Sequence, residues 1–245
     1  MSTETHEGRQ FAREIKFLIP AERAAGIRDW ARANLEADPH AEGGGDQYRV
    51  TSLYFDTPNR DVFFQRGSFA RSKYRIRRYD AAHTAFLERK LKTRDLVSKR
   101  RSLVGIEELP EVFSDPGRDN AGYWFQRRLR LRGLEPVCQI SYLRTARVGM
   151  NSHGPIRLTI DHDLRALPVL APQFSGPAET GALLTGGEYI LELKYRYQMP
   201  TLFKALAEQF ALTRQAVSKY RLAAMKLNLG GAGPNAGLNG NSIHA

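Results

Sequence analysis

The sequence predicts an α+β fold built around an antiparallel β-sheet that is charged on one face and apolar on the other. Segments that alternate between polar and apolar residues recur along the chain, which is typical of strands with two different faces. Amphipathic helical stretches lie between them, and short connections between several strands favour antiparallel pairing. The number of such strands favours a closed barrel with a charged lumen and helices over its apolar outside. An open sheet with its charged face in water is the alternative.

The N-terminal part is predicted to contain two strands and two helices. Residues 11–19, "FAREIKFLI", alternate between the two faces and predict the first strand. Pro20 occupies a helix-start position and predicts a helix over 20–37. A second strand is predicted at 48–55, where the turn signal "DTPN" ends it, and "RDVFFQRG" at 60–67 is predicted to form a short helix.

The rest of the chain is predicted to alternate between strands and helices. Three strands that form an antiparallel meander are predicted at 70–79, 83–92 and 95–104. Residues 110–119 are predicted to be a loop. Later strands are predicted at 136–149, 155–163 and 187–197, and helices at 120–133, 199–210 and 215–229.

Composition excludes several classes of protein. The chain has 245 residues, 42% of them hydrophobic, which is enough for a sizeable core. Apolar runs are too short to cross a membrane, and the N-terminus lacks the pattern of a signal peptide, so a cytoplasmic location is expected. Cys138 is the single cysteine, which excludes an internal disulfide and a cysteine-based zinc site. The six histidines are scattered without metal-ligand spacing.

The chain is predicted to form one domain at 9–229, because neither an internal repeat nor a linker divides it. Residues 1–8 are expected to be a flexible N-terminus. The Gly/Asn-rich residues 230–245 are expected to form a disordered tail.

Positive charge is concentrated in one segment. The net charge is +11, and residues 71–101 contain twelve Lys and Arg against three acids, which amounts to +9. Arg71, Lys73, Arg75 and Arg77 occupy every second position of "RSKYRIRRYD", so in a strand they would share one face. Because like charges this close repel each other, the segment predicts a bound anion.

Other strands carry the same type of face, with carboxylates among the cations. The segments "AFLERKLK", "IRLTIDHD" and "YILELKYRY" are charged at alternate positions. Cations enclosed in a lumen are costly unless they meet water, counter-ions or a polyanion. Arg and Lys suit phosphate oxygens, while carboxylates either pair with the cations or hold Mg²⁺ or Mn²⁺ against phosphate. The pattern therefore suggests metal-assisted phosphoryl chemistry.

Nine segments, taken in order, resemble one known family. They are "FAREIKFLI", "VTSLYFDT", "SKYRIRRY", "FLERKLK", "SKRR", "YLRTAR", "LTIDHDL", "YILELKY" and "SKY". From about residue 9 to 228 the chain is similar to the VTC domain of polyphosphate polymerases, in the triphosphate tunnel metalloenzyme (CYTH-like) superfamily. The resemblance implies a closed, eight-stranded antiparallel β-barrel tunnel with a basic lumen, flanked by helices, that binds triphosphate or polyphosphate.

The resemblance also implies the residues of the site. Glu192, in "LELK", matches the glutamate that holds a divalent metal, Mn²⁺ or Mg²⁺. Catalytic roles are implied for Arg75, Arg77, Lys90, Arg144 and Glu192. Substrate-binding roles are implied for Lys16, Arg75, Arg77, Lys90, Lys99, Arg101, Tyr142, Arg144, Ser218 and Lys219, and Lys194 is added because it shares the charged strand face of Glu192. Glu14, Glu88 and Asp161 are secondary candidates, as metal ligands or as ion-pair partners.

The expected function is synthesis of inorganic polyphosphate from a nucleoside triphosphate. Hydrolases of the superfamily often begin with Glu-x-Glu-x-Lys, whereas this chain has Ala12, Glu14 and Lys16, which favours the VTC-like function. The alternatives are a tri- or polyphosphatase, a nucleoside triphosphatase, or a polyphosphate-binding module without catalysis. Nucleoside triphosphate and polyphosphate are the expected partners. Nucleic acid is not expected, and a role at a membrane would need a separate partner.

Overall fold

Ten β-strands and five α-helices are present in the computed structural model, which describes residues 13–39, 45–93, 96–114, 117–176 and 178–230. The strands are β1 (Arg13–Ile19), β2 (Glu36–Ala37), β3 (Gln47–Asp56), β4 (Ser72–Tyr79), β5 (Thr84–Thr93), β6 (Leu96–Gly105), β7 (Glu135–Asn151), β8 (Gly154–Pro168), β9 (Ala182–Leu183) and β10 (Tyr189–Tyr195). The helices are α1 (Ala21–Asn34), α2 (Leu109–Ser114), α3 (Tyr123–Leu131), α4 (Thr201–Gln209) and α5 (Lys219–Lys226). Short 3₁₀ helices cover Gly67–Arg71 and Ala178–Thr180.

All ten strands belong to one sheet. Eight of them are hydrogen-bonded in the order β1-β10-β8-β7-β3-β4-β5-β6, and the two-residue strands β2 and β9 pair with β7 and β8. Every pair is antiparallel. The prediction of an α+β fold around a large antiparallel sheet is confirmed, including the meander formed by β4, β5 and β6.

The closed barrel that the sequence predicted is not confirmed. In the described part of the chain, β1 and β6 end the order of strands and share no hydrogen-bonded ladder. Their Cα atoms nevertheless approach within 8 Å. Lys90 Nζ on β5, the strand next to β6, donates to Glu14 Oε2 on β1 at 2.6 Å, so a side-chain ion pair crosses from one end of the sheet to the strand before the other end. We call this gap between the sheet ends the seam.

The apolar strand faces are buried under helices. Phe17, Leu158 and Leu193, on β1, β8 and β10, pack in one cluster with Ile27 of α1 and Phe203 of α4, and all five are at most 3% exposed. A second cluster covers the other half of the sheet and includes residues of α2, α3 and α5. Each large side chain buried in this way stabilises the fold by about 1.5–3 kcal/mol. The opposite strand faces, which carry the charges, are thereby oriented away from the helical layers.

The prediction of a helix at 60–67 is wrong. The segment forms turns, and the 3₁₀ helix starts only at Gly67. Arg60 and Gln65 have φ of 59° and 57°, which an α-helix does not allow. The carboxylate of Asp56 accepts hydrogen bonds from the backbone N–H groups of Val62 and Phe63, so these donors are already used.

The loop predicted at 110–119 is also wrong in part, because α2 covers Leu109–Ser114. Leu109 and Val112 are 3% and 0% exposed, and their three-residue spacing places both against the core. Burial of these two side chains stabilises a short helix that the sequence pattern did not predict. The last predicted helix, 215–229, is shorter in the structure, because Ser218 caps α5 by accepting from Arg221 N–H.

The predicted flexible residues 1–8 and all but the first residue of the predicted tail lie outside the described residues. No helix among the residues that the structure describes is both long and apolar enough to span a membrane.

Candidate functional site

A polar cavity of about 80 Å³ lies where residues of β1, β3, β4, β5, β7 and β10 meet the beginning of α5. A water molecule needs about 10–15 Å³, so the cavity has room for several. Among the described residues, eight cations and a single carboxylate line it. They are Lys16, Lys73, Arg75, Arg77, Lys90, Arg144, Lys194, Lys219 and Glu192, together with Tyr54, Tyr142, Ser218 and Tyr220.

The antiparallel register decides which cations meet a carboxylate. Arg75 is opposite Glu88 on β5, and its Nε and Nη2 both lie 2.7 Å from Glu88 Oε2. Lys99 Nζ lies 3.2 Å from the other oxygen of Glu88, which is 1% exposed. Burial raises the pKa of Glu88, but Arg75 and Lys99 outweigh it and hold this pKa well below its usual range. Glu88 is therefore a buried anion engaged by two cations.

A second buried group joins β7, β8 and α5. Arg144 is opposite Asp161, and its Nε and Nη2 donate to the two carboxylate oxygens at 2.6 and 2.8 Å. Lys219 Nζ lies 2.6 Å from Asp161 Oδ2. Burial raises the pKa of Asp161, but Arg144 and Lys219 lower it by more than burial raises it, so the carboxylate stays ionised. We call these three residues the Asp161 group.

On β1, β5 and β10, next to the Asp161 group, three lysines share two glutamates. Lys16 is opposite Glu192 and Lys194 is opposite Glu14 in the register of β1 with β10. Lys194 Nζ lies 3.5 Å from Glu14 Oε1 and 3.1 Å from Glu192 Oε1, while Lys90 reaches Glu14 from β5. Burial and Glu192 both raise the pKa of Glu14, yet the lysines hold it at about 2. We call these five residues the lysine–glutamate cluster.

Two cations of the cavity form no ion pair with a carboxylate among the described residues. Arg77, 5% exposed, donates to Ser52 Oγ at 3.1 Å and to Tyr142 Oη at 3.0 Å, and both acceptors are neutral. Lys73 donates to Ser218 Oγ at 2.7 Å and is opposite Lys90 in the register. A like-charge pair in this position is unfavourable unless an anion lies between its members.

Nearly all of the sequence-predicted residues are brought together. Lys16, Arg75, Arg77, Lys90, Tyr142, Arg144, Lys194, Ser218, Lys219 and Glu192 line the cavity. Two predicted binding residues lie outside its lining: Lys99 pairs with Glu88, and the guanidinium of Arg101 lies 4.7 Å from the ring centroid of Phe86. Of the secondary candidates, Glu88 is contacted by Arg75 and Lys99, and Asp161 by Arg144 and Lys219. Glu14 is contacted by Lys90 and Lys194.

The sequence alone did not identify Tyr54, Tyr220 or Lys73 as residues of the binding site. Tyr54 is on β3, and its hydroxyl accepts from Arg75 Nη1 at 3.3 Å. Its ring stacks on Tyr220 with 5.6 Å between centroids. Both tyrosines are in the quoted segments "VTSLYFDT" and "SKY", but nothing in the sequence showed that these segments meet in space.

Glu14 and Glu192 are the carboxylates that fit a divalent metal. Lys194 Nζ contacts both, so the space between them already favours a cation. Among the described residues, no group of three or more His, Cys, Asp or Glu could hold a metal. Two carboxylates suit Mg²⁺ or Mn²⁺, because these ions commonly complete their coordination with water and substrate phosphates. The residues therefore fit an ion shared with substrate and do not fit one held by protein alone.

Comparison with known proteins supports the α+β fold described above. The family model of the VTC domain matches residues 11–228. A search among curated proteins returns no match. The fold is similar to that of a Bacillus halodurans protein described as a candidate adenylate cyclase, with TM-score 0.53, 15% identity, and coverage of 86% of this chain and 95% of that one. It is also similar to the candidate adenylyl cyclase HpAC1 from Hippeastrum, with TM-score 0.51, 15% identity, and coverage of 88% and 96%.

Proposed function

The chain belongs to the VTC domain family, and from this premise we propose that it catalyses metal-dependent phosphoryl transfer on triphosphate substrates. The specific reaction that we propose is extension of inorganic polyphosphate with phosphate from a nucleoside triphosphate. The family membership and the chemistry of the cavity support this proposal together.

One observation carries the proposal: eight cations line one small cavity together with a single carboxylate, among the described residues. Excess charge in such a small space is costly without a polyanion, because the cations repel each other. A triphosphate or polyphosphate supplies several negative charges in a narrow, extended shape. Arg77 and Lys73 are the natural first contacts, since no carboxylate has to be displaced from either of them.

The residues of the Asp161 group bind and orient. Asp161 fixes Arg144 through two hydrogen bonds and fixes Lys219 through one ion pair. Such cations need no reorganisation when negative charge develops on a transferred phosphoryl group, and phosphoryl transfer depends mainly on alignment and electrostatic stabilisation. Arg75 is held in the same way by Glu88.

The lysine–glutamate cluster would hold the metal. Mg²⁺ or Mn²⁺ bound by Glu192, with Glu14 beside it, would polarise the phosphoryl oxygens and neutralise their charge. Lys16, Lys90 and Lys194 contact these glutamates and keep them ionised. When a phosphate arrives, the same lysines can turn to its oxygens because they are 22–32% exposed.

The test is incubation of purified protein with ATP and Mn²⁺ or Mg²⁺, with products separated by size on a gel. Phosphate chains are expected with the wild type. Glu192→Gln should lose turnover by about 10²-fold or more while keeping most of its affinity for tripolyphosphate. Glu208→Gln, at an exposed position on α4, is the matched control and should behave as wild type. A wild type that binds but does not turn over any phosphate substrate would show a binding module instead.

A second candidate function is hydrolysis of triphosphate. HpAC1, which shares the fold, is described as having a dominant triphosphatase activity. The cavity has room for water, which would replace the chain end as phosphate acceptor. If the same preparation releases phosphate from tripolyphosphate but makes no chains from ATP, the protein is a triphosphatase and not a polymerase.

A further inference from the structure

We propose that Asp56 and Tyr220 are positioning residues, and that the hydrogen bond between them holds the first turn of α5 so that Lys219 points into the cavity. This inference rests on the proposed function, because it assigns Lys219 to phosphate binding. We call the Asp56–Tyr220 contact the latch.

Asp56 is built as a fixed acceptor. It ends β3 and is 0% exposed. Backbone N–H groups of Thr57, Val62 and Phe63 donate to its carboxylate at 2.7, 2.8 and 3.0 Å. Three backbone donors leave the carboxylate little freedom, so its position is set by the fold of the 56–63 turn. The fourth donor is Tyr220 Oη, which comes from a segment 164 residues further along the chain.

Tyr220 links this acceptor to the cavity. It is 1% exposed, stacks on Tyr54, and directly follows Lys219, whose ammonium group contacts Asp161. Burial, together with the hydrogen bond to Asp56, raises the pKa of Tyr220, so its hydroxyl remains a donor throughout the usual pH range. Because Tyr220 and Lys219 are neighbours in the first turn of α5, fixing one limits the movement of the other.

Helix α5 needs anchors of this kind because it has eight residues, and a helix this short is not stable alone. Lys73 Nζ donates to Ser218 Oγ at its N-terminal end, and Arg60 Nε donates to Leu229 O just after its C-terminal end. The bond to Ser218 comes from a cation that the proposed substrate would also attract. The latch, in contrast, joins a neutral hydroxyl to a carboxylate that does not line the cavity, so it can hold α5 in both the free and the bound protein.

Two variants and one control test the latch. Tyr220→Phe keeps the ring that stacks on Tyr54 but removes the donor, and Asp56→Asn weakens the acceptor. Tyr197→Phe is the matched control, because Tyr197 is 71% exposed. Binding of tripolyphosphate is measured by calorimetry, and amide hydrogen exchange is measured across the chain. We expect Tyr220→Phe to weaken binding by about ten- to a hundredfold and to speed exchange in 219–226, with little change in exchange elsewhere.

A double-mutant cycle separates positioning from a general loss of structure. If the latch acts through Lys219, Tyr220→Phe should weaken binding by less than about twofold when Lys219→Met is already present. An equal loss in both backgrounds, or unchanged exchange in 219–226, would overturn the proposal. If the wild type does not bind tripolyphosphate, the proposed function fails, and the exchange measurement still decides whether the latch holds α5.

Discussion

The Asp161 group and the lysine–glutamate cluster border one cavity from neighbouring strands, and their cations are neutralised in different ways. In the Asp161 group, the side chains of Arg144, Asp161 and Lys219 are 8%, 0% and 9% exposed, and two hydrogen bonds fix the arginine. In the cluster, Lys16 and Lys194 are 22% and 32% exposed, and each glutamate is shared between lysines.

The difference separates a fixed part of the site from an adaptable one. A buried arginine–carboxylate pair has one geometry and is expensive to break, because each partner would be left as an unpaired buried charge. Lysines on flexible stems can exchange one oxygen for another at little cost. We infer that the Asp161 group aligns a substrate. The lysine–glutamate cluster responds to the charge of the substrate and to a metal.

The largest expected effect is on stability. Asp161→Asn removes the anion between Arg144 and Lys219 and should lower the free energy of unfolding by about 3–5 kcal/mol. Glu14→Gln should cost less than about 2 kcal/mol, because its lysine partners can turn to water. Urea denaturation at pH 7 measures both. Similar losses of stability in the two variants would remove the distinction between the Asp161 group and the lysine–glutamate cluster.

The sign of the pH effect gives a check on the same variant. The pKa of Asp161 is lowered in the folded protein, so its stabilising contribution is present above the ordinary aspartate pKa of about 3.9. That contribution is lost as the pH falls towards the lowered pKa. The stability difference between wild type and Asp161→Asn should therefore shrink as the pH falls below about 4.

A smaller effect on stability and binding distinguishes Arg75, which pairs with Glu88, from Arg77, which has no carboxylate partner among the described residues. Arg77→Met should leave the protein folded and weaken tripolyphosphate binding by about ten- to a hundredfold, since its present acceptors are neutral. Arg75→Met should instead destabilise the fold, because Glu88 would stay buried with Lys99 as its remaining ion-pair partner among the described residues. Thermal melting and calorimetry on both variants test this. An unstable Arg77→Met would contradict it.

The smallest effect is a pH dependence of binding that Lys73 contributes. The pKa of Lys73 is lowered to about 7, first by burial and then by repulsion from Lys16, Lys90, Arg221 and Arg75, which lie on β1, β5, α5 and β4. An anion binds better when Lys73 is protonated, so affinity should fall as the pH rises above 7. Ser218 Oγ, its hydrogen-bond partner, does not titrate in this range.

Lys73→Met is the variant that isolates this contribution. Tripolyphosphate affinity is measured from pH 6 to pH 9, and the wild type should lose about three- to tenfold more affinity over that range than the variant. Parallel curves for the two proteins would show that Lys73 contributes nothing to the pH dependence of binding.

The alternating faces of the strands could be predicted from the sequence, because side-chain direction in a strand follows from position alone. The alternation in "SKYRIRRY" placed Arg75 and Arg77 on one face, and both line the cavity. What alternation cannot supply is the register between strands that are far apart in the chain. Arg144 meets Asp161, and Arg75 meets Glu88, only because the ladders align them.

The role of each cation depends on that register, which explains the incomplete part of the prediction. Lys99 and Arg75 both contact Glu88, but Arg75 lines the cavity and Lys99 does not. Tyr220 was within a quoted segment, but its role depends on a hydrogen bond to Asp56, which is distant in sequence. Local errors at 60–67 and 110–119 arose in the same way, from contacts with residues outside each segment.

The seam between the sheet ends has a consequence for ionic strength. Backbone ladders are neutral and short-ranged, so salt scarcely affects them, whereas the Lys90–Glu14 pair that joins β5 to β1 is an attraction between charges, with Lys90 28% exposed. The Debye length falls from about 10 Å at 0.1 M salt to about 3 Å at 1 M salt. The attraction between Lys90 and Glu14 should therefore weaken as the salt concentration rises. We therefore expect high salt to loosen the link between β1 and β5 while the backbone ladders stay unchanged.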